Sequence, residues 1–236
     1  MRTLAEYVLK DVNLVPTDAV STIEAIKAEI DGKLTAQINQ ILHHEDFQKI
    51  ESAWRGLHYL VNNTETDEML KIKVINISKT ELGSTLKKFK GTRWDTSPVF
   101  KKIYGAEYDQ FGGEPYGCLV GDYYFDHSPP DVELLGEIAK ISAAAHAPFI
   151  AAASPSIMQM DSWAELSDPA DLAKKFSDAD YAAWRSLRES EDARYLGLAM
   201  PRFLARLPYG AKTVPVRAFD FEEDARGTDA SKYVWA

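Results

Sequence analysis

The sequence predicts an α/β protein, a mixed and partly parallel sheet with flanking helices, preceded by a long N-terminal helical hairpin. Three observations predict it. Apolar residues at Ile23, Ile26, Ile30, Leu34, Ile38 and Ile41 recur every three or four positions, the period of an amphipathic helix. After a break at His43-His44 the same spacing returns at Phe47, Ile50, Trp54, Leu57 and Val61. Beyond residue 63, short apolar runs alternate with helical stretches, the order of an α/β layer. The division this suggests is a helical segment over 1–63 and an α/β domain over 64–236.

Each element has its own warrant. Pro16-Thr17-Asp18 is a helix-start signal with Thr17 as N-cap. Gly56, interior to the second helix, costs about 1 kcal/mol against alanine, and a close helix contact is the simplest offset. MLKIKVINIS, ending at Ser78, alternates Leu70, Ile72, Val74, Ile75 and Ile77 with polar residues and reads as a strand. Helical stretches follow around 80–90 and 97–107, then an apolar run at Cys118-Leu119-Val120. Ser128-Pro129-Pro130-Asp131 opens the clearest helix, with Val132, Leu135, Ile138 and Ile141 on one face. PFIAAAS (148–154) is a short buried strand by length and flanks. Helical segments near 169–176 and 179–192 precede the apolar YLGLAM, which Pro201 ends. TVPVRAF reads as an edge strand because of Pro215.

The totals narrow the function. The chain has 236 residues, 45% hydrophobic and 27% charged, with a net charge of −9. An acidic chain repels phosphate backbones, which argues against nucleic-acid binding. One cysteine, Cys118, excludes an internal disulfide and suits a reducing compartment. No apolar stretch approaches the roughly 18 residues of a membrane span, and MRTLAEYVLKDV has acids where a signal peptide needs an apolar core. The chain stops on Tyr233, Val234 and Trp235 with no polar tail, which reads as a piece of a longer protein.

Candidate chemistry is thin. FGGEPYG (111–117) matches neither phosphate-binding glycine pattern. Its glycines precede a strand, whereas α/β phosphate sites use the turn that follows one. It reads as a tight turn into a buried strand. Asp122, Asp126 and His127 sit at a strand end, where a hydrolase or a phosphate-handling enzyme would keep acid–base groups. The same residues also make a natural loop into the helix cap. His43-His44-Glu45-Asp46 offers metal-ligand types, but neighbours in sequence point to different helix faces, so a solvated helix junction is expected. His58 and His146 read as surface or packed histidines. Ser154 lacks a nucleophile elbow, and Cys118 has no adjacent base and reads as a buried small hydrophobe. The sequence therefore assigns no catalytic, metal or cofactor-binding residues.

WRSLRESEDARY (184–195) is unusual for its charge. Arg185 with Glu189 and Arg188 with Asp192 have i, i+4 spacing, and Glu191 and Arg194 extend the cluster. Exposed pairs of this kind contribute only about 0.3–0.5 kcal/mol, so stability explains the cluster poorly. Two readings stand: a solvated charged face, or an inter-subunit surface on which Arg–carboxylate pairing sets register. Arg202 and Arg206 add guanidinium groups nearby in sequence.

Several blocks, taken in order, closely resemble one family. FQKIESAWRGLHYLV, LKIKVINISKTEL, FKKIYGAEYDQFGGEPYGCLVGDYYF, AAAHAPFIAAASPSIM, YAAWRSLRESEDARYLGLAMPRFLARLPYG and FDFEED resemble the large sheath subunit of the type VI secretion system, the TssC/VipB/EvpB family. The resemblance runs through about residues 40 to 225. It implies an α/β structural protein of the bacterial cytoplasm and no enzymatic activity. It also implies pairing with a small sheath subunit (TssB/VipA family), and stacking with other sheath subunits around a tube of Hcp hexamers on a baseplate. Contraction would drive the tube outward, and the ClpV unfoldase would strip contracted sheath. Family members run to roughly twice this length, so this chain resembles their N-terminal half, without the part that carries much of the small-subunit contact. The segment gripped by ClpV is expected to be absent or incomplete.

Overall fold

The computed structural model describes residues 19–166, 174–225, 227 and 229–235. The expected cap at Thr17, most of the helical segment near 169–176 and Ala236 lie outside the described residues. The chain divides into two compact units, one running to Ile72 and resuming at Phe203, the other from Lys73 to Arg202. The stretch after residue 202 thus groups with the N-terminal helices.

In the first unit, α1 (Ala19–Leu42) and α2 (Glu45–Asn62) follow the two apolar periodicities. His44 caps α2, its Nδ1 accepting from the Asp46 amide at 3.3 Å, with Glu45 and Asp46 at the positive helix end. A Cβ at Gly56 would meet nothing within 4 Å, so no close contact explains that glycine. The helices bind the C-terminal stretch through polar groups. Asn39 receives the Asp224 amide at 2.8 Å and donates to the Glu222 carbonyl at 3.3 Å. Gln48 Nε2 donates to the Ser231 carbonyl at 2.8 Å, and Ser52 donates to that of Trp235. Leu42, Phe221, Ala225 and Val234 are buried here. TVPVRAF forms no strand; only an isolated bridge joins Tyr209 to Val214. Pro215 cannot donate to a ladder, which stops the pairing at one residue.

The second unit holds α3 (Lys79–Lys88), β1 (Leu119–Phe125), α4 (Pro129–Ala144), β2 (Phe149–Ala153), α5 (Ala182–Glu189) and β3 (Leu196–Ala199). The strands form one parallel sheet in the order β1-β2-β3. Leu119 pairs with Phe149 and Phe125 with Ala153, across an irregularity between Val120 and Tyr124. Phe149 pairs with Leu196 and Ala152 with Ala199. Parallel neighbours need a crossover, and α4 supplies the first. All four apolar positions read from the sequence of α4 are buried, and Leu135, Ile138 and Ile141 join Phe125, Phe149 and Ala151 in the core. At the entry to α4, Asp131 Oδ2 accepts Lys79 Nζ at 2.7 Å and the Asp126 amide at 2.9 Å.

Two expectations fail here. MLKIKVINIS forms no strand: its residues join no ladder, and Val74 is 69% exposed. Alternation marks a segment fit to pair, but strand structure also needs a neighbour's amides and carbonyls. Side chains hold this segment instead. Tyr123 Oη donates to the Ile77 carbonyl at 2.6 Å, and Lys73 Nζ reaches Glu107 at 2.8 Å. Cys118 is exposed, not buried, because β1 is an edge strand whose next residues, Leu119 and Val120, are half-buried and 69% exposed.

Candidate subunit interface

The glycine-rich loop is a turn closed by its own acid. Gly112 has φ +81°, a conformation that side-chain-bearing residues rarely adopt. A Cβ on Gly113 would collide with the Glu107 carbonyl oxygen. The Glu114 amide donates to Glu107 Oε2 at 3.1 Å, and Lys73 holds Oε1. The hydrogen bond from Lys73, followed by the Glu114 amide, holds the Glu107 carboxyl below its usual range. A carboxylate therefore takes the Glu114 amide, and the Gly113 amide donates to the Gln110 carbonyl at 3.0 Å.

The strand-end acids do not converge. Asp122 is exposed. Asp126 receives the Ser128 amide at 2.8 Å. Burial pushes the Asp126 carboxyl up, but hydrogen bonds from the Ser128 side chain and backbone outweigh it and hold the group below its usual range. The His127 ring stacks on Tyr181, with centroids 4.3 Å apart. None of the three lines the cavity described below. Among the described residues, no three His, Cys, Asp or Glu side chains come together as metal ligands. His43, expected to be solvated, instead lies half-buried with Nε2 3.6 Å from Glu223.

In the 184–195 stretch neither expected i, i+4 pair forms among the described residues. Arg185 Nη1 donates to the carbonyls of Phe176 and Asp178, at 2.8 and 2.6 Å, tying down the loop ahead of α5. The helix ends at Glu189, and Ser190 is extended (φ −71°, ψ 145°), so Asp192 begins a new turn and cannot sit beneath Arg188. Arg188, Glu189, Glu191 and Arg194 are exposed, while Arg185 and Asp192 are half-buried. Arg188, Glu191 and Arg194 border a cavity of about 680 Å³ between α4, α5 and β3.

Arg206, which sequence proximity groups with these arginines, belongs to the first unit. Its Nε lies 2.6 Å from Glu51 Oε1, and its Nη1 lies 2.6 Å from Glu223 Oε2. The side chains of Arg206, Glu51 and Glu223 are only 6%, 11% and 1% exposed. Burial by itself would lower the Arg206 pKa, but hydrogen bonds to Glu51 and Glu223 raise it above its ordinary value. Glu223 also accepts the Tyr209 amide at 2.8 Å, and Arg55 binds Glu51 at 2.7 Å. No spacing rule could have found a network whose members lie 155 residues apart.

Residues 24–236 match the VipB family model, described as the EvpB tail sheath N-terminal domain. The chain belongs to the tail sheath family. A tail sheath relative, the type VI secretion system sheath protein TssC1 of Pseudomonas aeruginosa, is 71% identical over all 236 residues. The chain spans 47% of that relative's length. Among the described residues, no helix of this tail sheath chain is long and apolar enough to cross a membrane.

Proposed function

We propose that the chain is the N-terminal part of the large subunit of a type VI secretion contractile sheath, a structural element with no catalytic role and no cofactor. In this reading the whole subunit pairs with a small sheath subunit of the TssB/VipA kind. The pairs and other sheath subunits build a tube around Hcp, anchored on a baseplate in the bacterial cytoplasm. Contraction propels the Hcp tube, and ClpV recycles the spent sheath. The observation that carries this reading is the 71% identity to a sheath protein over the entire chain. Asp126 is engaged by the Ser128 amide and the His127 ring by Tyr181, so these strand-end residues serve the loop into α4 in this reading.

The 184–195 stretch is the proposed inter-subunit surface. Of its charges, Arg188, Glu189, Glu191 and Arg194 are exposed, while Arg185 and Asp192 are half-buried. The test is Arg188→Glu with Arg194→Glu in the full-length subunit, co-expressed with the small subunit and scored for sheath by light scattering and electron microscopy. Arg185 is left unchanged because its loss would free the loop at Phe176 and Asp178. Assembly should fall while the circular dichroism spectrum stays that of the parent. Sheath formed at the parent level would refute the interface.

A further inference from the structure

The cavity beside α5 separates two apolar clusters, one centred on Leu135 and the other on Ala153, Ile157 and Met158. Trp184 and Leu198 pack against both clusters and also line the cavity. Its volume, about 680 Å³, is that of a binding pocket and far exceeds a packing defect. The walls are apolar and the lip is charged: two exposed guanidinium groups, Arg188 and Arg194, stand there with one carboxylate, Glu191. Among the described residues neither arginine forms an ion pair; Arg194 only lies 5.6 Å from the centroid of the Tyr195 ring. Trp184, which lines the cavity, also has its indole Nε1 buried without an acceptor among the described residues. Buried donors ordinarily find one.

We infer that this cavity docks a segment of another polypeptide in which an apolar anchor side chain is flanked by carboxylates. The anchor fills the space lined by Trp184 and Leu198, and the acids meet Arg188 and Arg194. Charge sets the choice of partner. The lip carries a positive excess on a chain whose net charge is −9, so an acidic segment that the rest of the surface repels is held at this place. Glu191 disfavours a carboxylate directly beneath it, and so favours acids spaced to reach the arginines on either side. Calling that partner a sheath component rests on the function proposed above; the chemistry of the pocket does not.

The test uses isotope-labelled protein and two blocked peptides, acetyl-Asp-Phe-Leu-Glu-amide and acetyl-Lys-Phe-Leu-Lys-amide. The Trp184 indole N–H resonance is assigned by its loss in Trp184→Phe. The acidic peptide should move that resonance saturably, and Arg188→Glu with Arg194→Glu should weaken binding at least about tenfold. An unmoved indole, or equal shifts from the basic peptide, overturns the inference. The assembly assay separates the two claims. Acidic-peptide binding alongside normal sheath from the double variant keeps the pocket chemistry and removes the interface; lost assembly without peptide binding does the reverse.

Discussion

Arg206→Met should be the most damaging single change to the first unit away from its apolar core. Arg206 is 6% exposed and binds Glu51 and Glu223 at once. Methionine keeps much of the side-chain volume but leaves both acids without that cation. Glu51 retains Arg55, whose side chain is 36% exposed. Among the described residues, Glu223, 1% exposed, keeps the Tyr209 amide and the more distant His43. Removing one partner of a buried pair costs about 3–5 kcal/mol, because a charge remains in a poorly solvating site. With an m-value of about 2 kcal/mol/M in urea, the unfolding midpoint of this unit should fall by roughly 1.5–2.5 M. Fluorescence from Trp54 and Trp235, both in the unit, reports the transition once Trp94, Trp163 and Trp184 are replaced by phenylalanine. Adding Glu51→Gln and Glu223→Gln to Arg206→Met should restore a large part of the loss, since neutral groups carry no charge-desolvation penalty. A loss below about 1 kcal/mol from Arg206→Met, or no recovery in the triple variant, would refute the claim that the cost is a stranded charge.

Acid should weaken the same unit. Burial pushes the Glu51 carboxyl up, but hydrogen bonds from Arg206 and Arg55 outweigh it and leave the group below its ordinary value. The unfolded chain therefore takes up a proton first. The contribution is complete above the unfolded value of about 4.3 and disappears as pH falls through the lower folded value; an urea midpoint flat from pH 5 to 3 would contradict this. In the second unit, Asp131→Ala removes the acceptor for Lys79 and for the Asp126 amide and should cost about 1–2 kcal/mol, seen as a lower thermal midpoint; an unchanged midpoint would mean the entry to α4 needs no cap. Gly113→Ala should cost about 1–3 kcal/mol, since its Cβ would strike backbone at Glu107. The loop amides, Glu114 first, should then lose hydrogen-exchange protection, and parent-like protection would show that the loop can shift aside.

What the sequence by itself determined is local. The periodicities of α1, α2 and α4, the stop at Pro201 and the short apolar runs of β2 and β3 each follow from a few neighbouring residues, because helical period and strand length are properties of a short window. The family, too, was legible in blocks of sequence. Tertiary structure alone decided which residues pair across distance. MLKIKVINIS alternates like a strand and forms no ladder, because a ladder needs a neighbour's amides and carbonyls. Arg185 and Glu189 have ion-pair spacing, yet Arg185 binds the carbonyls of Phe176 and Asp178, which the fold brings within its reach. By sequence Arg206 was one more guanidinium group near the 184–195 stretch; the fold brings it Glu51 and Glu223 from 155 and 17 residues away. Burial makes that arginine structural, and burial is a property of the folded chain as a whole.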